Sequence, residues 1–333
     1  MSFFAILFAL LIEQVRPLGP HNAIHSALRV WARWVSRNFD AGKPQHGWVA
    51  WSLAVVGPAA LALGIYLLLL AFVGWPFAMV WNVAVLYATL GFRQFSHHFT
   101  AIRDALEAGD ELRARQLLAH WQRVDASELP RSEIVRHVIE YSVLAAHRHV
   151  FGVLAWYSVG AAFGFGPAGA VLYRMAEFVR RYWKHRSSTL AQPASEALQS
   201  ASARAWAVID WVPARATAIA FAVVGSFEEA IDCWRHHAQR FPNDNDGVIL
   251  AATSGALNVR LGGETLRPAA FAPNATQGLN AAGIGLEPPL ATESTPGREA
   301  EVQHLRSVVG LVWRSVVLWM VLLALLTLAR LLG

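Results

Sequence analysis

The sequence predicts an all-α fold: a polytopic helical membrane protein with about five membrane segments and a helical hydrophilic module. Three observations carry that expectation. Of the 333 residues, 55% are hydrophobic and only 15% charged, and the mean hydropathy is +0.35, a balance foreign to a soluble globule of this size. The stretch from Trp48 to Phe92 contains no Asp, Glu, Lys, Arg or His, and about 20 apolar residues suffice to cross roughly 30 Å of hydrocarbon. Fourteen tryptophans suit a chain whose rings sit between headgroups and acyl chains. The same composition excludes intrinsic disorder. A single cysteine, Cys233, excludes an internal disulfide and any centre held by several thiolates. The net charge is +5 and the pI is near 9.8, but the bases are scattered rather than striped. Lipid is therefore the expected partner and nucleic acid is not.

Residues 1–92 read as an N-terminal interfacial segment followed by a transmembrane hairpin. Ser2 to Ile12 is too short to span alone. It lacks a basic start and ends at Glu13 without a small-residue cleavage site, so an interfacial helix, or the start of a longer, bent one, is expected rather than a removable signal. Gly74-Trp75-Pro76 interrupts the uncharged run, and proline cannot donate to a helix ladder, so 50–73 and 76–92 are expected to cross with a tight turn between them. Residues 93–149 are expected to form the hydrophilic helical module, because Ile102, Leu106, Leu117, Leu118 and Trp121 recur among balanced charges. Gly109 and Asp110 suit a helix end followed by a new cap, and Ser132 is a candidate cap for a third helix.

Residues 150–226 are expected to hold kinked or re-entrant membrane segments with a basic connecting loop. The uncharged run from Val150 to Tyr173 is broken at Phe163-Gly164-Phe165-Gly166-Pro167, which allows either one kinked crossing or two short helices. Residues 205–226 are apolar except for Asp210 and Arg215, charges that are costly at hydrocarbon depth unless paired or facing a cavity. Residues 227–306 read as a hydrophilic segment with a long loop, rich in Gly, Pro, Thr, Asn and Ala over 262–300. In 307–333 the apolar run from Val309 to Ala329, with Arg314 and Arg330 near its ends, is expected to form the C-terminal transmembrane helix. Lys and Arg outnumber acids five to two in 13–47 and again in 176–206, which favours the cytoplasmic side for both.

The signatures of P-loops, serine hydrolases and zincins are absent. Histidines pair at His97-His98, His147-x-His149 and His236-His237, but adjacent imidazoles on a helix diverge by about 100°, so no metal site is expected. The densest polar constellation is Pro242-Asn243-Asp244-Asn245-Asp246-Gly247. Its amides and carboxylates offer oxygen ligands or hydrogen bonds to a polar substrate, and Gly247 permits close backbone approach. The same residue types also make turns, and the spacing does not follow the EF-hand pattern.

Several strings, taken in order, carry a family resemblance. Arg103-Asp104-Ala105-Leu106-Glu107-Ala108-Gly109-Asp110, then Arg123-Val124-Asp125-Ala126-Ser127-Glu128-Leu129 and Glu133-Ile134-Val135-Arg136, are similar to the central hydrophilic segment of the CobD/CbiB proteins of cobalamin biosynthesis. Trp211-Val212-Pro213-Ala214-Arg215 resembles that family's W-[IL]-P-A-R, and Gly255-Ala256-Leu257-Asn258-Val259-Arg260-Leu261-Gly262-Gly263 resembles its G-A-L-G-V-R-L-G-G. The resemblance implies an inner-membrane protein that attaches aminopropanol, or its phosphate, to a carboxylate of adenosylcobyric acid, giving adenosylcobinamide or its phosphate. The implied partners are thus a corrinoid and aminopropanol or its phosphate. Amide formation needs an activated carboxylate, which implies a nucleoside triphosphate with Mg, and an oxyanion stabilised during amine attack. Asp125 occupies the place of the Asp in the family's G-R-D-T, Asn245 that of the Asn in S-P-N, and Arg215 that of the Arg in P-A-R, where it could clamp a carboxylate or phosphate. These three are the implied catalytic residues, with Asn243, Asp244 and Asp246 as substrate-binding groups.

The chain departs from the pattern in places. His147-Arg148-His149-Val150-Phe151-Gly152 stands where the family has E-N-T-V-D-G, Glu177-Phe178-Val179-Arg180-Arg181 where it has N-T-L-D-S, Arg204-Ala205-Trp206-Ala207 where it has R-L-D-D, and Leu250 where a Glu follows S-P-N. The opening from Phe3 to Glu13, Arg181-Tyr182-Trp183 and Asp210-Trp211-Val212-Pro213-Ala214-Arg215 look more like the related AmpE membrane proteins. That alternative implies a non-enzymatic membrane sensor or signalling modulator.

Overall fold

A computed structural model describes residues 2–15, 23–122, 124–189, 194–263 and 293–332. Most of the loop expected over 262–300 lies outside these, as do Arg123 and the side chain of Arg330. Every regular element among the described residues is helical, joined by two isolated β-bridges, so the all-α expectation holds. By Cα packing the chain divides into two units, one of 1–91, 148–213 and 323–333 and the other of 92–147 and 214–322.

In chain order the helices begin with α1 (Ser2–Val15) and α2 (Ala23–Phe39), then α3 (Pro44–Leu68), which continues through a π turn at Leu69–Val73. Lys43 is the N-cap of α3, and Pro44 stands at the first position, where a missing N–H costs nothing. The helix stops at Gly74, whose φ of 109° leaves the helical region, and α4 (Trp75–Thr89) follows with Pro76 in its first turn. The break between two helices expected at this tripeptide is therefore present, with a second arm, α4, of 15 residues. In the first unit α2, α9 and α10 pack on α3, and α1 packs on α4.

The helices of the other unit open with α5 (Phe92–Glu107), α6 (Glu111–Gln122) and α7 (Arg131–Ala146). Asp110 does cap α6, its Oδ1 accepting from Arg113 N at 2.9 Å. Ser132 is not the cap of α7. The helix begins one residue earlier, with Pro130 in the extended cap position, because proline's fixed φ prepares the entry without needing a side-chain cap. A π turn, His147–Phe151, leads into α8 (Gly152–Ala162) and, after the turn at 163–167, α9 (Ala168–Thr189). The sequence left open whether this region was one kinked crossing. The structure shows α8, which continues α7 through the π turn, packed back on α9 after the turn at 163–167.

The chain then forms α10 (Glu196–Ile209), α11 (Trp211–Val224), α12 (Phe227–His237), α13 (Asp244–Leu257) and α14 (Val302–Leu332). Two helical stretches are long and apolar enough to cross alone, Pro44–Val73 and Val302–Ala329, and a third arises if α10 and α11 count as one bent span. The other expected membrane segments are short apolar helices. The two charges flagged in 205–226 each have a partner: Asp210 accepts from Tyr173 Oη at 2.8 Å, and Arg215 donates to Asn245 Oδ1 at 3.1 Å.

Candidate functional site

The site is built on α7. Glu133, Arg136, His137 and Glu140 fall at positions i, i+3, i+4 and i+7, which puts them on one helical face, while Ile134, Val135, Val138 and Ile139 are fully buried on the others. Arg136 pairs with Glu140 through Nη1 at 3.0 Å and with Glu133 on the other arm. Its guanidinium also lies 3.0 Å from His137 Nε2.

Burial fixes the protonation of this face. Burial lowers His137 to about 3, assisted by the adjacent Arg136 charge, so its imidazole is neutral at pH 7. Burial raises Glu140, against the opposing pull of Arg136 and a backbone N–H. Burial alone would lower Arg136, but Glu140 and Glu133 outweigh it and hold the guanidinium above its ordinary value.

The N–H that reaches Glu140 belongs to Gly262, which donates to Oε1 at 2.6 Å. It arrives because α13 ends abruptly. Asn258, the C-cap, adopts the left-handed conformation with φ of 51°, a region asparagine tolerates better than branched residues. The chain leaving it pairs Val259 with Arg298 and Gly262 with Ser294 in two β-bridges. Ser254 Oγ donates to Val259 O at 2.8 Å and Leu261 N donates to Thr295 Oγ1 at 2.9 Å, which fixes the strap 258–262 in place. Gly262, with φ of 78°, turns its amide onto the carboxylate in a conformation that a Cβ disfavours. Earlier in the same string, Gly255 lets α13 close on α12, since a Cβ there would stand 2.1 Å from Glu229 O.

The residues singled out from sequence fall in two places. Arg215, half-buried on α11, meets Asn245, buried in the first turn of α13. Asn243 precedes that turn and donates from Nδ2 to Asp246 Oδ2 at 3.2 Å, Asp246 being buried and Asp244 exposed. The pair Arg215–Asn245 and the pair Asn243–Asp246 thus share one helix start, where the backbone dipole favours negative charge. The guanidinium can fork onto a carboxylate or phosphate with one arm held by the amide. Asp125 is exposed and closes its own turn, its Oδ1 accepting from Ser127 N at 3.0 Å and Ser127 Oγ at 2.7 Å.

Sequence reasoning missed Glu140 and His137. The signal was there: charges at helical spacing inside a helix whose other positions are apolar. The departures from the family pattern also find partners. His147 Nδ1 lies 2.9 Å from Thr217 Oγ1, and Glu177 pairs with Arg174 at 2.8 Å and Arg181 at 3.5 Å.

The fold and this site define a helical membrane protein whose polar groups gather on a hydrophilic helical part. The family model of the CobD/CbiB protein matches residues 2–283, so the chain belongs to the CobD/CbiB family, and with it to cobalamin biosynthesis. It is 29% identical over 328 residues to the cobalamin biosynthesis protein CobD of Stutzerimonas stutzeri, covering 96% of each chain. It is 31% identical over 219 residues to the protein of that name from Chromobacterium violaceum, covering 64% of this chain and 66% of the relative. A third, from Mycobacterium tuberculosis, is 31% identical over 203 residues, covering 57% of this chain and 59% of the relative. No solved structure matches. These matches give no support to the AmpE-like alternative.

Proposed function

We propose that the protein is a multi-pass protein of the bacterial inner membrane that joins aminopropanol, or its phosphate, to a carboxylate of adenosylcobyric acid. The observation that carries this reading is the meeting of Arg215 with Asn245 at 3.1 Å, which unites two strings that resemble the family's P-A-R and S-P-N. In this reading Arg215 holds a carboxylate or phosphate oxygen, and Asn245 fixes the guanidinium plane. Asn243, Asp244 and Asp246 bind the amino alcohol's polar groups, and Asp125 acts from its loop. When the amine attacks, charge develops on the carbonyl oxygen, and an oriented cation is worth most where it meets that charge.

The resemblance also implies a nucleoside triphosphate with Mg to activate the carboxylate. The described residues supply no group of three or more His, Cys, Asp or Glu that could hold a metal. The chain has no P-loop string either, so the residues present do not fit the nucleotide.

A strain lacking its own synthase and fed cobyric acid tests the reading. The wild-type chain restores cobalamin-dependent growth, whereas Arg215→Ala and Asn245→Ala abolish it at equal membrane levels. Full rescue by both variants overturns the site, and no rescue by the well-expressed wild type overturns the activity.

A further inference from the structure

Helix α2 carries more apolar surface than the protein covers. At about 100° per residue its apolar side chains span an arc of roughly 200°, wider than the stripe a helix needs to pack on a core. One edge is closed: Ala32 and Val35 are fully buried. Trp31 Nε1 donates to Ala54 O of α3 and Trp183 Nε1 of α9 donates to Ala32 O, both at 3.3 Å. The other edge is open, with Val30 64% and Trp34 47% exposed.

Arg29, Arg33 and Arg37, four residues apart, form a single row on the polar face, and α2 contains no acid. Arg29 meets Ser26 Oγ and Arg33 meets Tyr182 Oη, each at 3.4 Å. Among the described residues no carboxylate pairs with any of the three. Asp40, the acid just beyond the helix, is engaged by Ser195, which donates its N–H at 2.8 Å and its hydroxyl as well. The helix lies against the first half of the apolar span that begins at Pro44. A row of arginines beside an open tryptophan edge has the chemistry of a helix lying in the membrane plane.

We propose that α2 is a docking surface for anionic lipid. Trp34 and Val30 enter the boundary of the acyl chains, and Arg29, Arg33 and Arg37 hold the phosphates of acidic headgroups, which a guanidinium meets in a bidentate way.

The full chain in nanodiscs tests this, using brominated acyl chains as quenchers of tryptophan fluorescence. The bromine is carried either by phosphatidylglycerol or by phosphatidylcholine, at the same mole fraction in the same mixture, and the Trp34 signal is the difference between wild type and Trp34→Phe. The expected result is quenching of Trp34 at least about twofold stronger from phosphatidylglycerol. The preference disappears in the combined Arg29→Gln, Arg33→Gln and Arg37→Gln variant and survives when the three are replaced by Lys. Equal quenching by the two lipids in the wild type overturns the proposal, as does a Trp34 reached by neither, which would mark a surface for a protein or nucleic acid. A preference that persists in the glutamine variant also overturns it.

Discussion

The charges buried on α7 and on α9 look alike in sequence but are held differently. On α9, Glu177 pairs within its own helix with Arg174 and Arg181, at spacings of three and four residues, and the Arg148 charge on the π turn before α8 acts on it as well. On α7, Glu140 has one local partner, Arg136, and one from 122 residues away, the Gly262 amide. The two ion pairs of the first arrangement can form once the helix does. The second exists only when the strap after α13 has closed. The ion pairs at Glu177 therefore link positions of one helix. The α7 face instead ties the hydrophilic helices to the Gly255–Gly263 string, one of the strings that resemble the family.

The largest expected effect breaks that asymmetry. In Glu140→Gln, Arg136, whose side chain is 5% exposed, loses its best-buried counter-charge, and the Gly262 amide loses a charged acceptor. Removing one partner of a buried pair costs about 3–5 kcal/mol, read as a lowered thermal midpoint in detergent. Glu177→Gln leaves Arg174 and Arg181 nearer the surface, with side chains 10% and 16% exposed, so about half that loss is expected. Equal losses would contradict the distinction.

Next comes Gly255→Ala. A methyl group 2.1 Å from Glu229 O forces α12 and α13 apart, at about 2–3 kcal/mol. Opening at that contact should also shift the strap, so backbone amides of 258–262 should exchange hydrogen faster, while those of α9 stay unchanged. Unchanged exchange in the strap would show that its closure does not depend on how α12 and α13 pack.

The smallest effect is pH dependence. His137 is lowered from 6.5 to about 3, so between those values the unfolded chain binds the proton that the folded chain refuses. Stability from this group is present above pH 6.5 and lost as pH falls. Glu140, raised, acts in the opposite sense and loses its contribution as pH rises through its folded value. The wild type minus His137→Gln difference isolates the histidine, with about 2 kcal/mol lost between pH 6.5 and 5. A flat difference would show that His137 is accessible to protons in the folded state.

Much of the fold was legible because apolar length and helix punctuation are local signals. The uncharged run, the break at Gly74 and the cap at Asp110 can each be read within a few residues. The 163–167 break could be placed but not interpreted, since only the packing of α8 on α9 separates a hairpin from a kink. At the site, the polar run 243–246 was visible by composition, and Arg215 by its cost in an apolar stretch. The contact between Arg215 and Asn245 spans 30 residues of chain and has no local signature. Glu140 carried a local signal in its helical spacing from Arg136, but the Gly262 amide that completes its surroundings lies beyond α13.

The most direct measurement is the mass of the corrinoid made by this chain in cells that lack a synthase and are supplied with cobyric acid. The account predicts conversion of the acid to cobinamide or its phosphate, dependent on Arg215 and Asn245. Recovery of unchanged cobyric acid, with the protein abundant in the membrane, would contradict it.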